Sequence, residues 1–207
     1  MIRSLLLATA TFLFLVSCGE QPVEEGNDEL TKIIENVAAE HHWDIAHASE
    51  GSETLAISFL SHMEYAAVSG AILEDCFEAL KKEDLFFDRY LIKNREGAIK
   101  LDISKENLEK ALNCKQNALN AINALSAHDF PTVVSLLDSA NVTNEQLAVT
   151  EKEMKNRLSG KVNEIGFEIA VQNNETYCAY VAFIDETFVN ATINLSANNC
   201  SIFSLNF

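Results

Sequence analysis

Between residue 162 and Phe207 lie four short strand-like runs, 162–171, 176–184, 188–195 and 200–207. This pattern constrains the fold more than any other. Apolar and polar residues alternate strictly from Val189 to Leu195, as in a strand with one buried face. The connections are too short to hold a crossover helix, so the four runs pair antiparallel in chain order as a meander. Gln172-Asn173-Asn174 and Ala197-Asn198-Asn199 supply asparagines, which tolerate the left-handed backbone of tight turns. A sheet with one apolar face needs a cover, and the helical periodicities ahead of it provide one. The C-terminal half therefore reads as an α+β unit.

Ser104 caps a long helix towards His128, with Leu108, Leu112, Leu119, Ile122 and Leu125 on its expected buried side. Asp129-Phe130-Pro131 ends it, and Pro131 suits the first turn of a short helix through Leu137. Thr143 with Gln146 forms a capping-box pattern for a helix lined by Leu147, Met154 and Leu158, which Gly160 ends. Upstream, Leu30, Ile33, Ile34 and Val37 follow the helical period. Residues 43–49 and 53–60 read as strands, the second with Leu55, Ile57 and Phe59 on one face. Residues 63–82 form an amphipathic helix, with Met63, Ala66, Gly70, Leu73, Phe77 and Leu80 at spacings of three and four. A hairpin of 87–93 and 98–103 follows, with Ile99, Leu101 and Ile103 inward. Helix, hairpin, helix, hairpin predicts an antiparallel sheet covered on one face by helices. The division expected is a leader at 1–17, an acidic tether at 18–27, an N-terminal α+β unit at 28–103 and a C-terminal α+β unit at 104–207.

The first 18 residues follow different rules. Arg3 is followed by an apolar run of 12 residues, Leu5 to Val16, and a small-residue exit through Ser17, Cys18 and Gly19. Spanning a bilayer takes about 18 to 20 residues, so this is a removable export leader rather than a membrane helix. Leu15-Val16-Ser17-Cys18 resembles the lipobox of bacterial lipoproteins. The resemblance implies cleavage before Cys18, lipidation of its sulfur and acylation of the new amine. Two or more acyl chains, at about 0.8 kcal/mol per buried methylene, hold a protein stably on a membrane. Gly19, with no Asp in that position, resembles the pattern of outer-membrane lipoproteins.

Removing residues 1–17 deletes one cation, so 14 Lys and Arg stand against 31 Asp and Glu, a net charge of −17. Such a surface repels phosphate backbones and anionic headgroups, which excludes nucleic acid as a partner and electrostatic docking to a membrane. An exported chain is permitted disulfides, and Cys76, Cys114, Cys178 and Cys200 allow three complete pairings. Their spacing is wide and irregular, with no C-x-x-C, so buried free thiols are the expected state.

The C-terminal half resembles cystatin-like and nuclear-transport-factor-like domains, in which a long helix crosses a curved sheet. The similarity rests on element order and on the phrase Ala124-Leu125-Ser126-Ala127-His128-Asp129-Phe130. Such folds host isomerases, dehydratases, inhibitors and binding modules, so architecture alone assigns no activity.

Candidate chemistry is sparse. His41, His42, Asp44 and His47 crowd together, but on a strand their side chains diverge, so no metal site is expected. No G-x-S-x-G, Cys–His or P-loop signature occurs. Ser69-Gly70 reads as a close-packing point within a helix. The pairs Glu24-Glu25, Glu74-Asp75 and Asp185-Glu186 read as solvated. His128 and Asp129 are the named candidates for an isomerase-like pocket, although helix-end polarity explains them as well. Asp138-Ser139-Ala140 resembles an O-glycosylation signal of exported Gram-negative proteins, making Ser139 a candidate acceptor.

The expectation is a lipid-anchored protein of the outer membrane, without catalytic residues, metal or cofactor. It would serve as a binding or structural module for an envelope protein or a small ligand. The alternative is a small-molecule binder or isomerase-like domain, with an apolar pocket between the Ser104 helix and the C-terminal sheet.

Overall fold

The computed structural model describes residues 28–50, 53–60, 67–139, 143–158, 160–197 and 199–207. Helix α1 (Asp28–His41) turns its buried Leu30, Ile34 and Val37 inward. Strands β1 (Ile45–Glu50) and β2 (Thr54–Phe59) form the first hairpin, and Leu55, Ile57 and Phe59 of β2 are buried. Trp43 stays outside the strand and stacks on His41, ring centroids 4.4 Å apart. Helix α2 (Val68–Lys82) then leads to β3 (Arg89–Lys93), which pairs antiparallel with β4 (Ile99–Ser104).

One expectation fails here. β3 lies beside β2 and parallel to it, with Leu55 opposite Tyr90 and Ile57 opposite Ile92. The first sheet, in order β1-β2-β3-β4, is therefore mixed rather than antiparallel. The reason is α2, which spans enough chain to carry β3 back to the same end of the sheet as β2, as a parallel pair requires. Ile99, expected inward, is 53% exposed, because it sits past the irregularity at Ile92/Lys93 where the register shifts.

Helix α3 (Lys105–Ser126) has 22 residues, about 33 Å at 1.5 Å per residue, and the Ser104 hydroxyl caps it by accepting from the Asn107 N–H. Its buried seam is Leu108, Ala111, Cys114, Ala118, Ala121, Ile122, Ala124 and Leu125. Leu112 and Leu119 are only half-buried. Alanines let the helix lie close to the sheet below, while the larger leucines fall to its flanks. Asp129 caps α4 (Phe130–Leu136) through the Thr132 N–H, with Pro131 in the first turn. α5 (Asn144–Arg157) begins after Thr143.

The meander follows as expected: β5 (Val162–Gln172), β6 (Glu175–Ile184), β7 (Thr187–Asn194) and β8 (Ile202–Asn206), antiparallel and in chain order. Asn173 and Asn174 both take positive φ, 53° and 63°, in a two-residue hairpin turn. α3 crosses the inner face of this sheet, and the Tyr180 hydroxyl donates to the Ala111 carbonyl. The class is α+β, and buried apolar residues from both sides of the 103/104 junction belong to one continuous core.

Candidate functional site

The two halves meet where α2 abuts the edge of β5. The Phe167 N–H, facing away from β6, donates to the Ala67 carbonyl at 3.1 Å, so the start of α2 covers the exposed sheet edge. Gly70 makes this approach possible: a Cβ there would lie 2.2 Å from the Phe167 carbonyl oxygen. Gly166, at φ +145° beside a bulge in β5, faces the Ala67 carbonyl at a similar distance. The close-packing role expected of Gly70 is thus observed, though in the first turn of α2 rather than its middle.

Beside this seam Lys115 of α3 is gripped by two carboxylates. Its ammonium donates to both oxygens of Glu74 on α2 at 2.8 Å and lies 2.6 Å from a Glu164 oxygen on β5. The side chains are 22%, 21% and 37% exposed for Lys115, Glu74 and Glu164. Burial pulls the Lys115 pKa down, but its hydrogen bonds to Glu164 and Glu74 outweigh burial and leave it raised. Burial also raises Glu74, only partly offset by Lys115. A lysine held protonated in this way is neither base nor nucleophile. The trio is an ionic clamp joining α2, α3 and β5. Glu74 is therefore not the solvated acid expected of the Glu74-Asp75 pair, because α3 brings a cation over it. Lys115→Met leaves two half-buried carboxylates facing each other, and a loss of about 1–3 kcal/mol is expected by denaturant titration, scaled down from a fully buried pair for partial exposure.

An open groove of about 420 Å³ runs alongside, lined by Glu74, Phe77, Glu78, Lys81, Glu109, Leu112 and Asn113. A second, of about 370 Å³, lies between α1 and β1, along Ile34, Glu35, Ala38, Ile45 and Ala46. His128 and Asp129 line neither. The His128 Nε2–H donates to the Leu158 carbonyl, at a residue with φ of 57° after α3, while Asp129 accepts from the Thr132 N–H and hydroxyl. Both serve helix ends. Between α3 and the meander, the place of the apolar pocket in the alternative reading, the side chains of Ala118, Ala121, Ile122, Val189, Ala191 and Ile193 are all buried in the core.

His41 lies 3.5 Å from Asp75 and stacks on Trp43. Among the described residues no group of three His, Cys, Asp or Glu is placed to hold a metal ion. Asp185 accepts from the Lys161 N–H, and Ser139 is exposed in the loop between α4 and α5. Cys18 and the pair Glu24-Glu25 lie outside the described residues. Among the described residues no helix is long and apolar enough to cross a membrane.

The cysteines divide. Cys76 and Cys178 are free and buried, as expected of all four. Cys114 and Cys200, 86 positions apart, are instead joined, their Cα atoms 5.1 Å apart. The segment ahead of β8 folds back onto α3, where the Asn117 side-chain amide donates to the Cys200 carbonyl, and this brings the thiols together. Spacing carried no signal for that pairing.

Burial pushes the Cys76 thiol up to about 12, with the nearby Asp75 charge adding to it, and raises Cys178 and Tyr180 as well. These groups are held neutral and are poor nucleophiles. The same shifts predict alkaline lability. The unfolded chain loses these protons from about pH 9 while the native state keeps them, so stability falls as pH rises. Cys76 alone, moving from 9.0 to about 12, accounts for about 4 kcal/mol by pH 12 at 1.36 kcal/mol per unit. Urea titrations between pH 8 and 11 should show that decline, and Cys76→Ala should make it shallower, leaving the part due to Cys178 and Tyr180.

No protein-family model, curated protein or solved structure matches this chain.

Proposed function

We propose that this is a lipid-anchored outer-membrane lipoprotein, tethered through acylated Cys18, whose folded body is a non-catalytic binding or structural module of the envelope. The observation that carries the reading is the ordered run of Arg3, a 12-residue apolar stretch and Leu15-Val16-Ser17-Cys18. The Cys114–Cys200 bond supports it, since disulfides persist in oxidising compartments outside the cytosol. The chemistry of the body supports the non-catalytic part: Lys115 is neutralised by two carboxylates, and the buried thiols are held protonated. Cells fed a clickable palmitate analogue should label the protein, and Cys18→Ala should abolish labelling and release the chain from the membrane fraction. An unlabelled wild type would refute the anchor.

A further inference from the structure

Cys178, Tyr180 and Ile184 of β6 and Val189, Ala191 and Ile193 of β7 are buried on the α3 side of the meander. The register places the residues between them on the opposite face. Solvent reaches the aromatics of this face, Phe188 being 42% exposed and Tyr177, Phe183 and Phe203 partly buried, while Val181 between them is buried. The aromatics stand in two pairs, Tyr177 with Phe203 at 5.2 Å and Phe183 with Phe188 at 5.8 Å. Beside them runs a row of amides and hydroxyls, Asn190, Thr192 and Asn194 on β7 and Ser204 and Asn206 on β8, with Asn206 donating to Asn190 at 3.0 Å.

From Tyr177 through β8 none of these outward positions carries a charge; the acids of this face are Glu168, on the edge strand β5 opposite Ala179, and Glu175, at the hairpin end of β6, whose carboxylate accepts from the Tyr177 hydroxyl. In a chain of net charge −16 the solvent face of a sheet is expected to carry many charges. A neutral face suits a neutral ligand. Two aromatic pairs offer π surfaces, and the polar row offers donors and acceptors at strand spacing. We propose that this face binds a neutral oligosaccharide chain, the sugar C–H faces stacking on the aromatic pairs and the hydroxyls meeting the amide row. A second copy of the chain suits the face less well, because a dry homodimer interface would bury the row of amides and hydroxyls without matched partners.

The test is calorimetric titration of the full-length protein in detergent with chitohexaose. Binding with Kd below about 1 mM is expected. It should weaken about three- to tenfold in Phe203→Ala, from loss of one stacking ring, and similarly in Asn190→Ala, both first checked for a wild-type thermal melt. Lys100→Ala, exposed on β4, should bind as wild type. The proposal is overturned if the wild type does not bind chitohexaose, if neither face variant alters binding, or if sedimentation shows a dimer that Phe203→Ala dissociates.

Discussion

Replacing Gly70 by alanine is expected to destabilise the protein by about 3 kcal/mol or more, from overpacking and a strained backbone hydrogen bond together. The added Cβ would lie 2.2 Å from the Phe167 carbonyl oxygen and 2.7 Å from its ring, and the first of these is backbone that cannot step aside. Relief requires α2 to lift off β5, which breaks the bond from the Phe167 N–H to Ala67 and pulls Glu74 away from Lys115. Gly166→Ala should act alike, through a clash with Ala67 and a φ of +145°. Gly97 is the control: it has φ of +80° but nothing within 4 Å of its would-be Cβ, so Gly97→Ala should cost only about 1–2 kcal/mol of backbone strain. Denaturant midpoints of the three variants separate packing from conformation. Equal losses at Gly70 and Gly97 would contradict the seam.

Severing the Cys114–Cys200 bond is the second large effect. It closes a loop of 86 positions, for which chain entropy gives about 4 to 5 kcal/mol, and measured losses for native disulfides run at about 2–5 kcal/mol. The Cys114→Ala, Cys200→Ala double variant should melt well below wild type, and a reductant should lower wild type to the variant while leaving the variant unchanged. Losing the bond frees the segment ahead of β8, so hydrogen exchange should rise first across β8. A wild type indifferent to reductant would remove the main structural support for an exported location.

The C-terminal meander and its Asn173-Asn174 turn were legible in the sequence because strand pattern and turn chemistry are local; Asn198 lies outside the described residues. So were the caps at Ser104 and Asp129, where a side chain bonds within three residues of itself. What escaped was non-local. The parallel pairing of β2 with β3 depends on where α2 returns the chain. The α3 seam departs from the expected one at Leu112 and Leu119 because alanines, which carry little hydrophobic signal, set the close approach. Glu74, Lys115 and Glu164 come together only after three elements have packed, and no spacing announces an ionic clamp or the Cys114–Cys200 pair. Gly70 was readable as a packing point because a glycine in an amphipathic helix has few other uses.

Intact mass spectrometry of the protein purified from its native membrane tests the central claim most directly. The account predicts a chain that begins at Cys18, heavier than its sequence by several fatty acyl groups and lighter by the two hydrogens of one disulfide. A chain whose mass matches an unacylated sequence, with or without residues 1–17, would contradict it.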